Sequence, residues 1–382
     1  LREHALRFAI DPTFKVLNAQ VADLKKDEII KEIILKQLDQ EHSETKALIQ
    51  RYRLSEVISH TRTMLREVRW HPERYAEWDL VFAGKQTLQQ CQDPEDCLSR
   101  NLTYGLYSLA RSTNDQWQRQ LLLNNERDFD QLILGTRALL CSPQATSALQ
   151  QIRSRYKILI IDEFQDTDHA QRDIAFTIGD TDKTKLFLVG DPKQSIYGWR
   201  GADITVWNEV KERIQKSGQV LSLTKNFRTD PQVIRTVNTV CGPAIDKSAA
   251  KLRELGLSTS AIDYQEMEAD RNSLGTAKCG IINVEASNSA GRRLEEGRKV
   301  GTYIQELVGQ TMIIDPETNS KRPCTYQDIA ILYRGRNNLD LFQKGLAETG
   351  VPFQTSSQDC TKSTEITDIV NVLRLLDNPK DN

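Results

Sequence analysis

The sequence predicts an α/β protein with parallel sheets, preceded by an all-helical segment. Two observations predict this class. The first 125 residues carry apolar side chains at helical spacing, and no glycine occurs before Gly84. From about residue 126 onward, short apolar runs alternate with helical patterns, as expected where helices connect the neighbouring strands of a parallel sheet.

The composition is that of an ordinary globular protein. The chain has 382 residues, enough for two or three domains, with 38% hydrophobic and 27% charged residues. Because the net charge is only −2, charge alone does not indicate nucleic-acid binding, and any DNA contact must depend on local grooves. The seven cysteines form no C-x-x-C pair, and the five histidines have no metal-binding spacing, so neither a disulfide framework nor a zinc site is predicted.

Targeting signals are not found in the sequence. No apolar run approaches the roughly 20 residues of a membrane helix, and no signal peptide opens the chain, so we expect a cytoplasmic protein. The first residue is leucine rather than methionine, which leads us to expect a fragment or a processed product.

Residues 1–125 are predicted to form a helical subdomain. Lys25–Gln40 and Leu54–Arg69 both place isoleucine, leucine and valine on one face among charged residues.

Residues 126–228 are predicted to form part of a first α/β domain. The strand candidates are short and continuously apolar, as expected for buried parallel strands. The predicted helices are Phe129–Leu140, Ala170–Gly179 and Asp203–Gln215, and the predicted strands are Lys157–Ile161, Leu186–Val189 and Val220–Leu223.

Residues 229–382 are predicted to form part of a second α/β domain. A helix is expected to open at Pro231, and residues 243–278 are expected to be a linker or a surface segment. The remaining predicted strands are Gly280–Val284, Ile329–Tyr333 and Val351–Thr355, and the remaining predicted helices are Arg292–Val308, Leu339–Thr349 and Glu365–Leu376.

The strongest chemical signal is the run Asp162-Glu163-Phe164-Gln165-Asp166-Thr167, which follows an apolar strand. Ligands bind beyond the carboxyl ends of strands in open α/β sheets. One carboxylate could hold Mg²⁺ and the other could activate water. The alternative for two acids alone is a strand that ends in solvent, but the longer pattern argues against it.

A second signal runs from Gly190 to Asp203 and again follows a predicted strand. Gln194 could sense a phosphate oxygen. Tyr197, Trp199 and Arg200 could stack on bases and hold a single strand, with each stacked base contributing ~1–3 kcal/mol. A packed aromatic pair is the alternative for the two rings considered alone.

The third signal is Asn226-Phe227-Arg228, which precedes the helix expected at Pro231. An arginine in this place could approach a γ-phosphate. In isolation it would be read as a surface salt-bridge residue.

Taken in order, these three blocks resemble motifs II, III and IV of the UvrD/Rep/RecB group of superfamily 1 DNA helicases. The resemblance covers most of residues 126–382. It extends through Asp328–Arg334, which is similar to a strand of the second motor domain, and Val372–Pro379, which is similar to the approach to the 2B insertion. Leu1–Phe14 is similar to a segment of RecB/AddA-like helicase-nucleases, which would make the helical segment a 1B-like subdomain.

The resemblance implies RecA-like P-loop NTPase motor domains that use ATP and Mg²⁺. Asp162 would serve Mg²⁺, Glu163 would activate water, and Gln194 would couple the γ-phosphate to the DNA site. Phe227 would lie by the adenine and Arg228 would reach the γ-phosphate. Tyr197, Trp199 and Arg200 would contact single-stranded DNA.

The implied activity is an ATP-dependent helicase that moves 3′ to 5′ on single-stranded DNA in repair or recombination. Its partners would be single strands, junctions of single and double strands, and the other components of a helicase-nuclease complex.

The phosphate-binding motif G-x-x-x-x-G-K-[ST] does not occur in the sequence. In the family it lies upstream of the 1B subdomain, and motifs V and VI lie downstream of the region matched here. The chain is therefore predicted to be a partial motor that does not hydrolyse ATP by itself.

Two other functions remain open from the sequence. One is a non-catalytic, helicase-like module that binds DNA or a partner. The other is a Mg²⁺-dependent nuclease that uses Asp162, Glu163 and Asp166, although no nuclease pattern of an Asp followed at variable distance by Glu-x-Lys stands out.

Overall fold

The structure is a computed structural model. It describes residues 2–3, 5, 10–84, 93–181, 184–198, 201–270, 272, 277–286, 288–315, 318, 320–335, 337–355, 368–369 and 372–373. The chain forms two compact units, of which the first comprises Leu1–Leu221 and Ala249–Ile262 and the second comprises Ser222–Ser248 and Asp263–Asn382.

The first unit opens with a helical region. Its helices are α1 (Ala19–Asp39), α2 (Ser43–Arg51), α3 (Leu54–Trp70), α4 (Ala76–Phe82) and α5 (Pro94–Leu123). The isoleucines of α1 repeat at helical spacing, and Ile30 and Ile34 are buried in one core with Trp117 and Leu121 of α5. Strand β1 (Lys15–Val16) pairs in parallel with β2 (Glu126–Arg127), so the chain enters and leaves the helical region at one place.

The α/β region of the first unit follows directly. Its elements are α6 (Phe129–Leu140), α7 (Thr146–Arg155), β3 (Ile158–Ile161), α8 (His169–Gly179), β4 (Lys185–Leu188) and α9 (Ile204–Ser217). Strands β3 and β4 are parallel, with Ile158 opposite Lys185 and Ile161 opposite Leu188. This pairing aligns the carboxyl ends of the two strands, which is the feature that positions the site described below.

The prediction that β3 is a fully buried strand is wrong. Ile158 and Ile160 are 59% and 65% exposed, whereas Ile161 packs into a core with Phe164 and Phe176. Successive side chains of a strand point to opposite faces. Within the described part of the chain, α8 and α9 cover one face of this two-stranded sheet and the other face is open.

The second unit contains β5 (Lys225–Asn226), most of α10 (Pro231–Glu254), β6 (Glu268–Ala269), α11 (Ser289–Leu307), β7 (Met312–Ile314), β8 (Lys321–Pro323) and α12 (Leu339–Glu348). Strands β5 and β6 are parallel, and β7 and β8 are antiparallel. Helices α11 and α12 pack against each other around Ile304, Leu346 and Val351. The chain leaves α12 through Gly350, which has a φ of 74°.

The predicted linker at residues 243–278 is wrong at its start, because α10 continues through Pro243 to Glu254. Proline removes one helical hydrogen bond and usually breaks a helix. Here a following segment holds the helix on both sides of the proline. The Asn238 amide donates to Met267 O at 2.9 Å, and Asp246 accepts from the backbone N–H of Tyr264 at 3.0 Å.

Four predicted strands are also wrong. The segments 220–223, 280–284, 329–333 and 351–355 join no ladder among the described residues. Apolar side chains in three of them face solvent, with Leu223 and Leu332 each 94% exposed and Ile281 89% exposed. A parallel strand requires a neighbouring strand, and the described residues supply none to these segments. The predicted helix Glu365–Leu376 lies mostly outside the described residues.

No helix in the described ranges is long and apolar enough to cross a membrane.

Candidate functional site

Asp162 and Glu163 lie at the carboxyl end of β3, as the sequence predicts. Both side chains are exposed, and Asp162 Oδ1 accepts a hydrogen bond from the backbone N–H of Glu163 at 2.9 Å. Glu163 has a φ of 51°, in the left-handed region that residues other than glycine rarely adopt. Backbone strain of this kind is concentrated at functional sites. It turns the chain sharply out of the strand into the turn Phe164–Asp166.

Gln165, to which the sequence pattern assigns no role, joins this turn to the next loop. Its side chain is 2% exposed. Its Nε2 donates to Glu163 Oε2 at 2.7 Å, and its Oε1 accepts from the backbone N–H of Asp191 at 2.9 Å. The one sequence signal for Gln165 was its position within a run of acidic residues. An amide that becomes buried at such a place must find hydrogen-bond partners.

Gln194 lies in the turn Pro192–Gln194, which follows β4. Its Nε2 donates to Asp191 Oδ2 at 3.1 Å. Burial raises the pKa of Asp191, but hydrogen bonds from Lys193 and Gln194 more than offset it and lower the pKa below its usual value. The lowered pKa favours the anionic form of Asp191, which accepts hydrogen bonds from the Lys193 backbone N–H and the Gln194 amide within this turn.

The two loops are held in close contact by backbone groups as well. Phe164 N–H donates to Val189 O at 2.9 Å, and Ser195 Oγ donates to Gln165 O at 3.1 Å. A Cβ at Gly190 would lie 2.5 Å from Gln165 Oε1 and 2.7 Å from Trp207. Only glycine permits this approach. The structure thus brings Asp162, Glu163 and Gln194 onto one edge of the β3–β4 pair.

Tyr197 follows the same loop and is 36% exposed. Trp199 and Arg200 lie outside the described residues. Beyond them, Gly201 has a φ of 107°, and Asp203 accepts from Thr205 N–H at 2.9 Å to cap α9. Burial raises the pKa of Asp203, but hydrogen bonds from Thr205 and the neighbouring His169 lower it overall.

Phe227 and Arg228 belong to the second unit. Both are exposed, Phe227 by 68%. Asn226 Oδ1 accepts from the backbone N–H groups of Arg228 at 3.1 Å and Thr229 at 2.8 Å, which fixes the turn between β5 and α10.

The side chains at this edge could bind Mg²⁺ only together with ligands from a bound nucleotide. Among the described residues, no three His, Cys, Asp or Glu side chains converge to hold a metal ion. Asp162 offers one exposed carboxylate, whose Oδ2 accepts no hydrogen bond from the described residues. Mg²⁺ commonly binds through one or two carboxylates together with phosphate oxygens and water, so Asp162 fits it. The nuclease alternative gains no support from this arrangement.

Comparison with known proteins gives two domain matches. Residues 1–215 match the UvrD/REP helicase N-terminal domain, and residues 221–382 match the UvrD-like helicase C-terminal domain.

Individual relatives match parts of the chain. An ATP-dependent helicase/nuclease subunit of Staphylococcus haemolyticus is 29% identical over 62% of this chain and 20% of its own length. The protein of the same name from Clostridium acetobutylicum is 30% identical over 60% of this chain and 20% of its own length. The ATP-dependent DNA helicase UvrD1 of Mycobacterium tuberculosis is 31% identical over 81% of this chain and 36% of its own length. The chain thus spans about a fifth of the first two relatives and about a third of the third.

Proposed function

The chain belongs to the UvrD/REP helicase family, and we propose that it is part of an ATP-driven motor that moves 3′ to 5′ along single-stranded DNA and separates duplexes. The proposal rests on the hydrogen bonds that join the two loops following β3 and β4. Gln165 contacts Glu163 in one loop and Asp191 in the other, and Gln194 contacts Asp191.

We assign the chemistry to the edge formed by these loops. Asp162 would hold Mg²⁺, which when bound neutralises phosphate charge. Glu163 would orient and deprotonate the attacking water, since its carboxylate is exposed at the strand end. Gln194 would contact the γ-phosphate through its amide.

The remaining assignments are proposals that membership in the family supports. Phe227 would stack on the adenine, and Arg228 would contact the γ-phosphate. Tyr197, Trp199 and Arg200 would hold single-stranded DNA by stacking and by charge. Residues 126–228 and 229–382 would be parts of two RecA-like motor domains, and residues 1–125 a 1B-like subdomain.

The biological setting we propose is DNA repair or recombination. The partners we propose are single strands, junctions of single and double strands, and the other components of a helicase-nuclease complex. The last of these is supported by relatives that are named as helicase/nuclease subunits.

ATP hydrolysis by the protein at its full natural length tests the proposal. Wild type, Glu163→Gln and the control Glu212→Gln, which changes an exposed residue of α9, are assayed with and without single-stranded DNA. We expect DNA-stimulated hydrolysis in wild type and the control. Loss of a general base should lower kcat in Glu163→Gln by about 10²- to 10⁴-fold.

Two outcomes would overturn the assignment. Unchanged hydrolysis in Glu163→Gln would remove Glu163 from the chemistry. An intact protein that binds DNA without hydrolysing ATP would favour the non-catalytic binding module.

A further inference from the structure

We propose that Gln165 is a positioning residue that holds the Glu163 carboxylate in place and links it to the Gln194 turn. The inference rests on the proposed function, because it assigns Gln165 a role in the hydrolysis attributed to Glu163. Gln165 does not itself touch the reacting atoms.

The bonding of Gln165 uses both ends of its amide. Its Nε2 donates to Glu163 Oε2 at 2.7 Å, while its Oε1 accepts from Asp191 N–H at 2.9 Å. The side chain is 2% exposed, so the Gln165 amide has little access to water and depends on these partners. A buried amide that is satisfied on both sides has one defined orientation.

Glu163 needs such a restraint. It occupies a left-handed backbone conformation, and its side chain is exposed, so without a partner the carboxylate could sample several rotamers. A general base must lie within hydrogen-bond reach of the water that it deprotonates. The bond from Gln165 selects one position of Oε2 and leaves the other oxygen of the carboxylate for that water.

The same amide connects the two loops. Asp191 N–H binds Gln165 Oε1, and Asp191 Oδ2 binds Gln194 Nε2 at 3.1 Å. A displacement of Gln194 towards a phosphate would therefore shift Asp191 and Gln165 and, through them, the carboxylate of Glu163. This continuous set of hydrogen bonds connects the Gln194 turn to Glu163. The chain continues from the same turn to Tyr197.

The identity of the side chain matters. Glutamate at position 165 could still accept from Asp191 N–H, but it could not donate to Glu163 and would place a second carboxylate beside it. Methionine has a similar length and forms neither bond. Methionine therefore tests the loss of both hydrogen bonds at a similar side-chain size. Glutamate tests the loss of the bond to Glu163 alone.

The experiment compares Gln165→Met, Gln165→Glu and Glu163→Gln with wild type in the protein at its full natural length. Gln150→Met, at an exposed position of α7, is the matched control. Steady-state kcat and KM for ATP are measured with and without single-stranded DNA, together with the thermal unfolding midpoint of each protein.

We expect Gln165→Met to lower kcat by about 10- to 100-fold, as for loss of a hydrogen bond to a charged group. KM for ATP should change by less than about threefold, because the binding of ATP does not depend on where Glu163 points. Stimulation by DNA should fall towards unity. Gln165→Glu should be at least as slow, and the Gln150→Met control should match wild type.

Wild-type kcat and DNA stimulation in Gln165→Met would overturn the positioning role while leaving the proposed function intact, provided that Glu163→Gln is inactive. If wild type itself does not hydrolyse ATP, both proposals fail. If Gln165→Met does not fold, Gln165→Glu decides, and wild-type turnover in that folded variant would overturn the inference.

Discussion

Asp128 is a buried carboxylate that receives hydrogen bonds from three helices. Arg69 of α3 binds it through two nitrogens at 2.8 and 3.0 Å, Trp117 Nε1 of α5 donates at 2.9 Å, and the backbone N–H of Gln131 donates at 2.8 Å to cap α6. Burial raises the pKa of Asp128, but the bonds and charge of Arg69, with Lys26 nearby, more than offset it and hold the pKa well below its usual range.

We expect Asp128→Asn to destabilise the protein by about 2–4 kcal/mol at pH 7, because it removes the buried counter-ion of Arg69 and leaves only the more exposed Asp130 carboxylate, 3.0 Å away, to balance that charge. The exposed control Asp115→Asn should change the free energy of unfolding by less than about 0.5 kcal/mol. Denaturant unfolding of each variant measures this difference. A stability equal to wild type in Asp128→Asn would contradict it.

The lowered pKa of Asp128 leads us to expect that the free energy of unfolding depends on pH. Its pKa is lower in the folded state than in the unfolded state, so its stabilisation is complete above the unfolded pKa of about 3.9 and is lost as the pH falls through the folded value. The free energy of unfolding should therefore decline below about pH 4 more steeply in wild type than in Asp128→Asn. Parallel slopes for the two proteins would rule this contribution out.

Helices α11 and α12 approach each other closely at two glycines. A Cβ at Gly297 would collide with Phe342 O, and a Cβ at Gly345 would collide with Leu294 O. Neither obstacle is a flexible side chain, so neither can move aside cheaply. The two helices pack closely because no side chain stands between their backbones at these points.

We expect Gly297→Ala and Gly345→Ala each to destabilise the second unit by about 1–3 kcal/mol through overpacking. Gly135 in α6 provides the opposite case, since a Cβ there meets no atom within 4 Å. Gly135→Ala should stabilise the protein by up to about 1 kcal/mol through helix propensity. Thermal or denaturant unfolding measures whether each substitution lowers or raises the free energy of unfolding. An increase in Gly297→Ala would refute the packing argument.

Helices were predicted from the sequence more successfully than strands, because their bonds are local. The predicted helix Phe129–Leu140 coincides with α6, and Asp203, the predicted first residue of another helix, is the N-cap of α9. Strand ladders depend on distant partners, which explains why the apolar segment around Leu332 was mistaken for a strand. The helix through Pro243 was missed for a related reason, because residues far along the chain hold it together.

The candidate site was predicted in part. The motif pattern located Asp162, Glu163 and Gln194, and the parallel pairing of β3 and β4 brings their loops together. The pattern did not reveal Gln165, because the role of a buried amide depends on its partners in space. Nor did it indicate the left-handed conformation of Glu163, which the surrounding contacts impose.

The chain contains the residues to which we assign the activation of water, but its sequence has no phosphate-binding loop. No G-x-x-x-x-G-K-[ST] segment occurs in its 382 residues. In P-loop NTPases the backbone and lysine of that loop hold the β- and γ-phosphates, and catalysis of phosphoryl transfer consists largely of such positioning and charge stabilisation. The role that we propose for Glu163 therefore requires a phosphate that other residues hold in place.

The 382-residue chain expressed alone is therefore expected to release no phosphate from ATP above background, with or without single-stranded DNA. The protein at its full natural length should hydrolyse ATP under the same conditions. Phosphate release by the two proteins at equal concentration makes the comparison, with Glu163→Gln prepared in both. Robust hydrolysis by the 382-residue chain that disappears in its Glu163→Gln variant would mean that other residues of this chain bind the phosphates, and the partial-motor interpretation would have to be abandoned.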